Sequence, residues 1–193
     1  MLGAGRGSRF GGGKLLAAYR EGLVIESALA AAFAAPVETV LLTVGCDGPA
    51  VAEAARVFAS RTGQTARLRI VETPDWAEGM SASLRRGVSA LPAGSRGVFV
   101  FLGDMPRVPA GLADDLAAAL RGDAVAAVPA FEGRPGHPAL IGAALFPEIG
   151  RLSGDRGARG VLDAYPGRVI QVETGDDGVL FDIDAPGDLT RGP

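Results

Sequence analysis

Four short apolar runs constrain the fold of this chain most. They are Thr39–Val44, Leu68–Val71, Gly97–Leu102 and Val125–Val128. Each is nearly continuous in apolar residues, as a strand buried on both faces must be. The stretches around them carry helical spacing instead. Ile25, Leu29, Ala32 and Phe33 form one such face, stopped by Pro36. Val51, Ala54, Ala55 and Phe58 mark a helix over 48–61. Leu84, Val88 and Leu91 mark another over 81–91, and Leu112, Leu116 and Leu120 a third over 109–120. This alternation predicts an α/β fold: a three-layer, mostly parallel sheet with helices on both faces. After Pro129 the pattern loosens. Strands are expected at Ala139–Ile141, Val169–Val172 and Val179–Asp184, with a short helix after Gly157. No internal repeat or linker interrupts the 193 residues, so one domain over 1–193 is expected.

The first fourteen residues fit none of these patterns. Six are glycine, and Arg6, Arg9 and Lys14 are cationic. Glycine packs no side chain and loses the most backbone freedom on folding, so this is neither a core strand nor a good helix. It can bring backbone N–H groups close to an oxyanion, with three cations beside them. The stretch reads as a phosphate-holding loop, with Leu2, Gly3, Ala4, Gly5, Gly7, Ser8, Arg9 and Lys14 as nucleotide contacts. It is not a P-loop, since Ser8 stands where that motif needs its first glycine and Leu15 where it needs a hydroxyl. It is not the dinucleotide fingerprint either, which also fails at Ser8. Metal ligands must therefore come from elsewhere. A central strand normally precedes such a loop. Here only Met1 and Leu2 do, so the first strand is either cut short or vestigial.

In open α/β sheets, ligands bind beyond the carboxyl ends of strands. Asp104 follows the strongest strand pattern, in Leu102-Gly103-Asp104-Met105-Pro106, and Asp182 and Asp184 end the last one. Carboxylates so placed suit Mg²⁺, which takes one or two of them and completes its octahedron with water and phosphate. Asp184, before Ala185-Pro186, also resembles a helix cap, which leaves Asp182 the freer metal ligand. Ser81 and Ser83 open a helix, where hydroxyls and N–H groups either cap it or grip a polar ligand. His137, between Gly136 and Pro138, is expected to touch substrate.

Composition narrows the partners. With 48% hydrophobic and 21% charged residues the chain is not disordered. A net charge of −3 gives no reason to expect nucleic acid or an anionic membrane. No apolar run reaches membrane-spanning length and no secretory signal is visible, so a cytoplasmic location is expected. Single Cys46 and single His137 exclude an internal disulfide and Cys- or His-cluster metal sites.

Together these residues resemble a known family. Leu2-Gly3-Ala4-Gly5-Arg6-Gly7-Ser8-Arg9-Phe10 through Lys14 is similar to the L-A-A-G-x-x-x-R-x-G-x-x-K loop of the small molybdenum-cofactor nucleotidyltransferases. Gly79–Gly87, Leu102–Pro106, Gly136–Pro138, Gly154–Arg159 and Asp182–Pro186 follow in that family's order. The segments Gly79-Met80-Ser81-Ala82-Ser83-Leu84-Arg85 and Gly136-His137-Pro138 look like its cytidylyltransferase branch. The resemblance implies a Rossmann-like nucleotidyltransferase fold, with a nucleotide-binding half over about 1–130 and an acceptor-binding portion over about 131–193. It implies CMP transfer from CTP to molybdopterin with Mg²⁺, releasing pyrophosphate, and a molybdoenzyme as an eventual partner. Lys14, Arg9 and Asp104 would be catalytic, and Arg85, His137, Asp155 and Arg159 would contact the acceptor. A guanine-binding relative would carry glycine at position 4, so the Ala4 methyl is expected to crowd a purine and favour CTP over GTP. Other phosphorylated acceptors, such as a sugar phosphate or phospholactate, remain open, as does a non-catalytic accessory role.

Overall fold

The computed structural model describes residues 1–191. Its strands are β1 (Leu2–Gly3), β2 (Ala18–Tyr19), β3 (Gly22–Leu23), β4 (Val40–Val44), β5 (Leu68–Glu72), β6 (Gly97–Val100), β7 (Ala126–Phe131), β8 (Arg134–Pro135), β9 (Ala139–Gly142) and β10 (Val169–Glu173). Its helices are α1 (Val24–Ala34), α2 (Gly48–Arg61), α3 (Met80–Ser89), α4 (Leu112–Ala119), α5 (Phe146–Ile149) and α6 (Arg159–Leu162).

The expected α/β architecture is present. One sheet runs β1-β4-β5, all parallel. A second runs β10-β7-β9-β6. The β10–β7 pair is parallel, but β9 runs antiparallel to both β7 and β6. The two sheets meet at one parallel bridge between Leu2 and Leu102. The first strand therefore exists, as two central residues on which both halves close.

Strand alternation sends side chains to two helical layers. Leu42, Val44, Phe99 and Phe101 pack with α1 and α2, around fully buried Ile25 and Leu29. Val98, Val100, Val128 and Ile141 pack with Leu84 of α3, Ile149 of α5 and Leu162 of α6. Leu112 and Leu116 of α4 cover Ala127, Leu140 and Val179. Each fully buried aliphatic side chain contributes about 1.5–3 kcal/mol relative to exposure.

Two expectations near the C-terminus fail. Val179–Asp184 is not a strand: Asp177–Leu180 is a 3-10 turn, and irregular chain follows. Its backbone bonds loops rather than a sheet edge. The Val179 carbonyl accepts from His137 N–H, and Ile183 N–H donates to the Asp104 carbonyl, both at 2.9 Å. Nor is Asp184 a cap. The final 3-10 turn, Pro186–Thr190, is closed by Asp188, whose Oδ2 accepts from the backbone N–H groups of Asp184 and Ala185 at 3.0 and 2.7 Å. Those two bonds, Ala185 first, hold the Asp188 carboxyl below the usual carboxylate range.

Candidate active site

The glycine loop leaves β1 and turns back over its own start. Phe10 and Gly12 N–H groups both donate to the Gly7 carbonyl, at 3.0 and 3.3 Å. Gly7, Gly11, Gly12 and Gly13 all have positive φ, which explains the glycine density. At Gly7 a Cβ would also stand 3.1 Å from the Lys14 Cβ, so the loop closes directly on the lysine. Buried Leu15 anchors the next turn. Ser8, Arg9 and Gly5 remain exposed at the rim, while Gly3 lies inside against Leu42 and Leu15.

Asp104 is held from two sides. Leu2 of β1 donates to the Phe101 carbonyl and accepts from Gly103 N–H, each at 2.9 Å. A Cβ at Gly103 would come within 3.1 Å of the Leu2 carbonyl, so the strand end can approach β1 only as glycine. Ile183 secures the Asp104 carbonyl from the other side.

This scaffold brings six predicted residues together. Lys14 Nζ donates to Asp104 Oδ2 at 2.6 Å and lies 3.8 Å from Asp184 Oδ1. Arg9 reaches the other Asp184 oxygen at 2.5 Å. Desolvation, followed by the charges of Asp184 and then Asp104, raises the Asp182 carboxyl above its ordinary value. The Asp182 shift therefore records first its burial and then the two carboxylates nearby, with the Lys14 charge acting the other way. His137 faces the same cluster: the Asp104 charge acts on it, and its Nδ1 is buried without a partner. Burial is the largest influence and takes its pKa below the ordinary histidine value, against a backbone hydrogen bond at Val100 and the pull of Asp104. A Cβ at Gly136 would strike the Val179 carbonyl, so the His137 loop seats closely on the 177–184 segment.

The donors fit a hard divalent cation. They are carboxylates on separate segments, with neither thiol nor imidazole cluster. Among the described residues no three His, Cys, Asp or Glu side chains are grouped to hold a metal alone. Asp104, Asp182 and Asp184 thus do not form a ready three-carboxylate cage, and a metal here would need phosphate and water to complete its shell.

The helix-start residues go elsewhere. Ser81 donates to the Gly154 carbonyl at 2.6 Å. Arg85 donates to the Leu152 carbonyl at 2.7 Å, and to Asp75 and Glu78 at 3.2 and 3.0 Å. Asp155 accepts from Met80 N–H at 3.2 Å, at the start of α3. These groups bind residues 75–85 to residues 152–155. Ser83 is buried in α3, and Arg159 is exposed at the start of α6. The Ala4 methyl also departs from expectation. Ala4 is 2% exposed, its carbonyl taken by Cys46 N–H, so a base would meet little of its side chain.

Sequence reading missed Trp76. Its ring lies under the Arg6 guanidinium, 5.3 Å from centroid to Cζ, at the edge of the loop. A lone tryptophan in a turn carries no periodic signal. Only the tight approach of Gly45 to the Trp76 side chain and the Ala4 carbonyl places it there.

The loop, its lysine and the aspartate paired to it lie in a nucleotidyltransferase domain. The chain belongs to the MobA-like NTP transferase family, whose domain matches residues 1–169. None of the curated proteins matches its sequence significantly. Among solved structures it is similar to Rv0371c from Mycobacterium tuberculosis H37Rv: 27% identity, 97% of this chain and 91% of that one, TM-score 0.79. The same protein has also been solved as a manganese complex, matched at 25% identity over 90% and 85% of the chains, TM-score 0.70. A nucleotidyl transferase from Methanothermobacter thermautotrophicus matches at 26% identity over 97% and 91%, TM-score 0.78. Molybdopterin-guanine dinucleotide biosynthesis protein A from Archaeoglobus fulgidus shares the fold at 19% identity over 97% and 92%, TM-score 0.68. Among the described residues no helix is long and apolar enough to cross a membrane.

Proposed function

We propose that this protein transfers CMP from CTP to the phosphate of molybdopterin, releasing pyrophosphate, with Mg²⁺. The observation that carries the transferase reading is the Lys14–Asp104 pair at 2.6 Å beneath the glycine loop. It sets a phosphate-binding cation against a metal-binding carboxylate. The cytidylyl and molybdopterin assignments rest on the motif resemblance. Asp104, with Asp182 or Asp184, would hold Mg²⁺, which supplies a Lewis acid at the α-phosphate.

A phosphate monoester is largely ionised near neutral pH, given a second pKa of about 6. The acceptor therefore arrives as its own nucleophile and needs no strong base. A half-buried His137, its proton affinity lowered, suits an acceptor contact rather than a proton store. Lys14 and Arg9, with loop N–H groups, would neutralise the β- and γ-phosphates as they leave. Such transfers depend on positioning and preorganised charge. The acceptor would sit against residues after about 131, where His137 adjoins the carboxylates.

A pyrophosphate-release assay with each of the four NTPs and a molybdopterin extract tests this. Turnover only with CTP and only with the extract is expected. Release with a sugar phosphate or phospholactate instead would move the acceptor assignment. No release with any combination would leave a nucleotide-binding accessory protein.

A further inference from the structure

The two cations of the site lie on its carboxylates. Lys14 Nζ donates to Asp104 Oδ2 at 2.6 Å and stands 3.8 Å from Asp184 Oδ1. Arg9 takes Asp184 Oδ2 at 2.5 Å. Both Asp184 oxygens therefore face positive charge, and so does Asp104. These are the oxygens that a hard divalent cation would need. The two cations do not hold them equally. The Arg9 side chain is 79% exposed, so its pair is screened and weak. The Lys14 side chain is 13% exposed, where solvent and salt screen a charge much less.

Local structure aims the lysine. Gly13 enters its turn at φ 65°, and buried Leu15 fixes the backbone on the other side. A Cβ on Gly7 would stand 3.1 Å from the Lys14 Cβ and 3.7 Å from its Cε, so the lysine stem runs along Gly7. Asp104 is fixed in turn by the Gly103 and Ile183 backbone bonds. The pair thus meets between two anchored backbones. A divalent cation on Asp104 would share its carboxylate with an ammonium group, and like charges so close repel strongly in a partly buried site. A triphosphate under the loop reverses that balance. The lysine stem is flexible and its three donors rotate, so the head can turn from Asp104 to phosphate while the backbone stays in place.

We propose that Lys14 is the built-in counter-ion of this site: in the free protein it occupies Asp104 and Asp184 and keeps a divalent cation out, and it releases them when a triphosphate draws it away. The inference rests on the nucleotidyltransferase reading of Lys14 and Asp104 and adds an order of events to it. Triphosphate opens the carboxylates. CMP, which lacks the β- and γ-phosphates, leaves them closed. The absence of a three-carboxylate group among the described residues agrees, since phosphate oxygens must complete the shell.

Mn²⁺ is the probe, its free concentration read by electron paramagnetic resonance on the full chain. Without nucleotide, Lys14→Met and Lys14→Gln should each bind Mn²⁺ at least about tenfold more tightly than the parent, because both remove the competing charge. Lys14→Arg keeps the charge and should stay within about threefold of the parent. Circular dichroism checks that each variant is folded, and two neutral variants guard against a defect in one. CTP, once its own chelation is subtracted, should raise the affinity of the parent for Mn²⁺, and CMP should not. Equal Mn²⁺ affinity of the parent and both neutral variants overturns the proposal. So does an equal effect of CTP and CMP. So does a gain that persists in Lys14→Met/Asp104→Asn, which would put the ion elsewhere. The metal site itself is judged separately, by whether Asp104→Asn alone weakens Mn²⁺ binding in the presence of CTP.

Discussion

Lys14 Nζ and Asp104 Oδ2 lie 2.6 Å apart although 90 residues separate them in the chain. The lysine sits at the end of a glycine loop and the aspartate in the loop that follows β6. Both are held through Leu2, which bonds the Asp104 strand end and precedes the loop. Neither side chain is freely exposed, at 13% and 25%, so their pairing is set by the scaffold rather than by solvent-driven encounter.

Replacing Asp104 should remove metal-dependent turnover. Asp104→Asn keeps the side-chain volume and leaves Lys14 the Asp184 carboxylate at 3.8 Å. A loss of at least about 100-fold in kcat, with an unchanged circular dichroism spectrum, is expected for an electrostatic contact made in the transition state. Steady-state pyrophosphate release across a metal titration measures it. Activity near that of the parent protein would mean that the metal is held elsewhere.

Lys14→Ala should weaken CTP more than CMP. The ammonium group lies under the loop, where β- and γ-phosphates would rest, and CMP has neither. A Kd ratio shift of at least about tenfold, or 1.4 kcal/mol, is expected from calorimetric titration of both nucleotides. Equal losses would place Lys14 away from the leaving group.

Gly136→Ala should destabilise the fold locally. Its Cβ would strike the Val179 carbonyl, which already accepts from His137 N–H. Relief requires moving the 177–184 segment away from Asp104. A cost of about 1–3 kcal/mol is usual for forced overpacking. Urea unfolding gives the stability change, and activity should fall with it because Asp182 and Asp184 ride on the same segment.

Stability should rise between pH 5 and pH 8. Burial lowers the Met1 amine from 8.0 to about 5. In that window the unfolded chain binds a proton that the folded chain does not, so folding is favoured as pH rises. Below pH 5 the full penalty is present, on the order of 4 kcal/mol; above pH 8 it is absent. His137, also lowered by burial, adds a change of the same sign. Asp182 acts oppositely at lower pH: its raised folded value means that stability falls as pH climbs above 3.8. Urea unfolding at several pH values, on free and N-terminally acetylated chains, isolates Met1. Acetylation should flatten most of the slope; an identical slope in both would assign it elsewhere.

The sequence by itself determined the elements whose apolar spacing is local. Helix α2 spans residues 48–61 as the periodicity predicts, and β4, β5, β6 and β10 fall on the predicted runs within a residue or two. It also determined the site's ingredients, because glycine density, a strand-end aspartate and a loop lysine are readable one at a time. Only the tertiary structure decided which of them meet. Asp184 turns to Lys14 and Arg9 because Asp188, four residues on, takes over the cap. Ser81 and Arg85 bind the 152–154 loop, and the Ala4 methyl faces inward, though all three sit in motifs that suggested ligand. Val179–Asp184 has the composition of a strand, yet its backbone bonds the Asp104 and His137 loops instead. Periodicity reports whether a residue faces the core or solvent. Which partner satisfies a particular hydrogen-bonding group depends on neighbours brought from 67 to 175 residues away, and that information is not local.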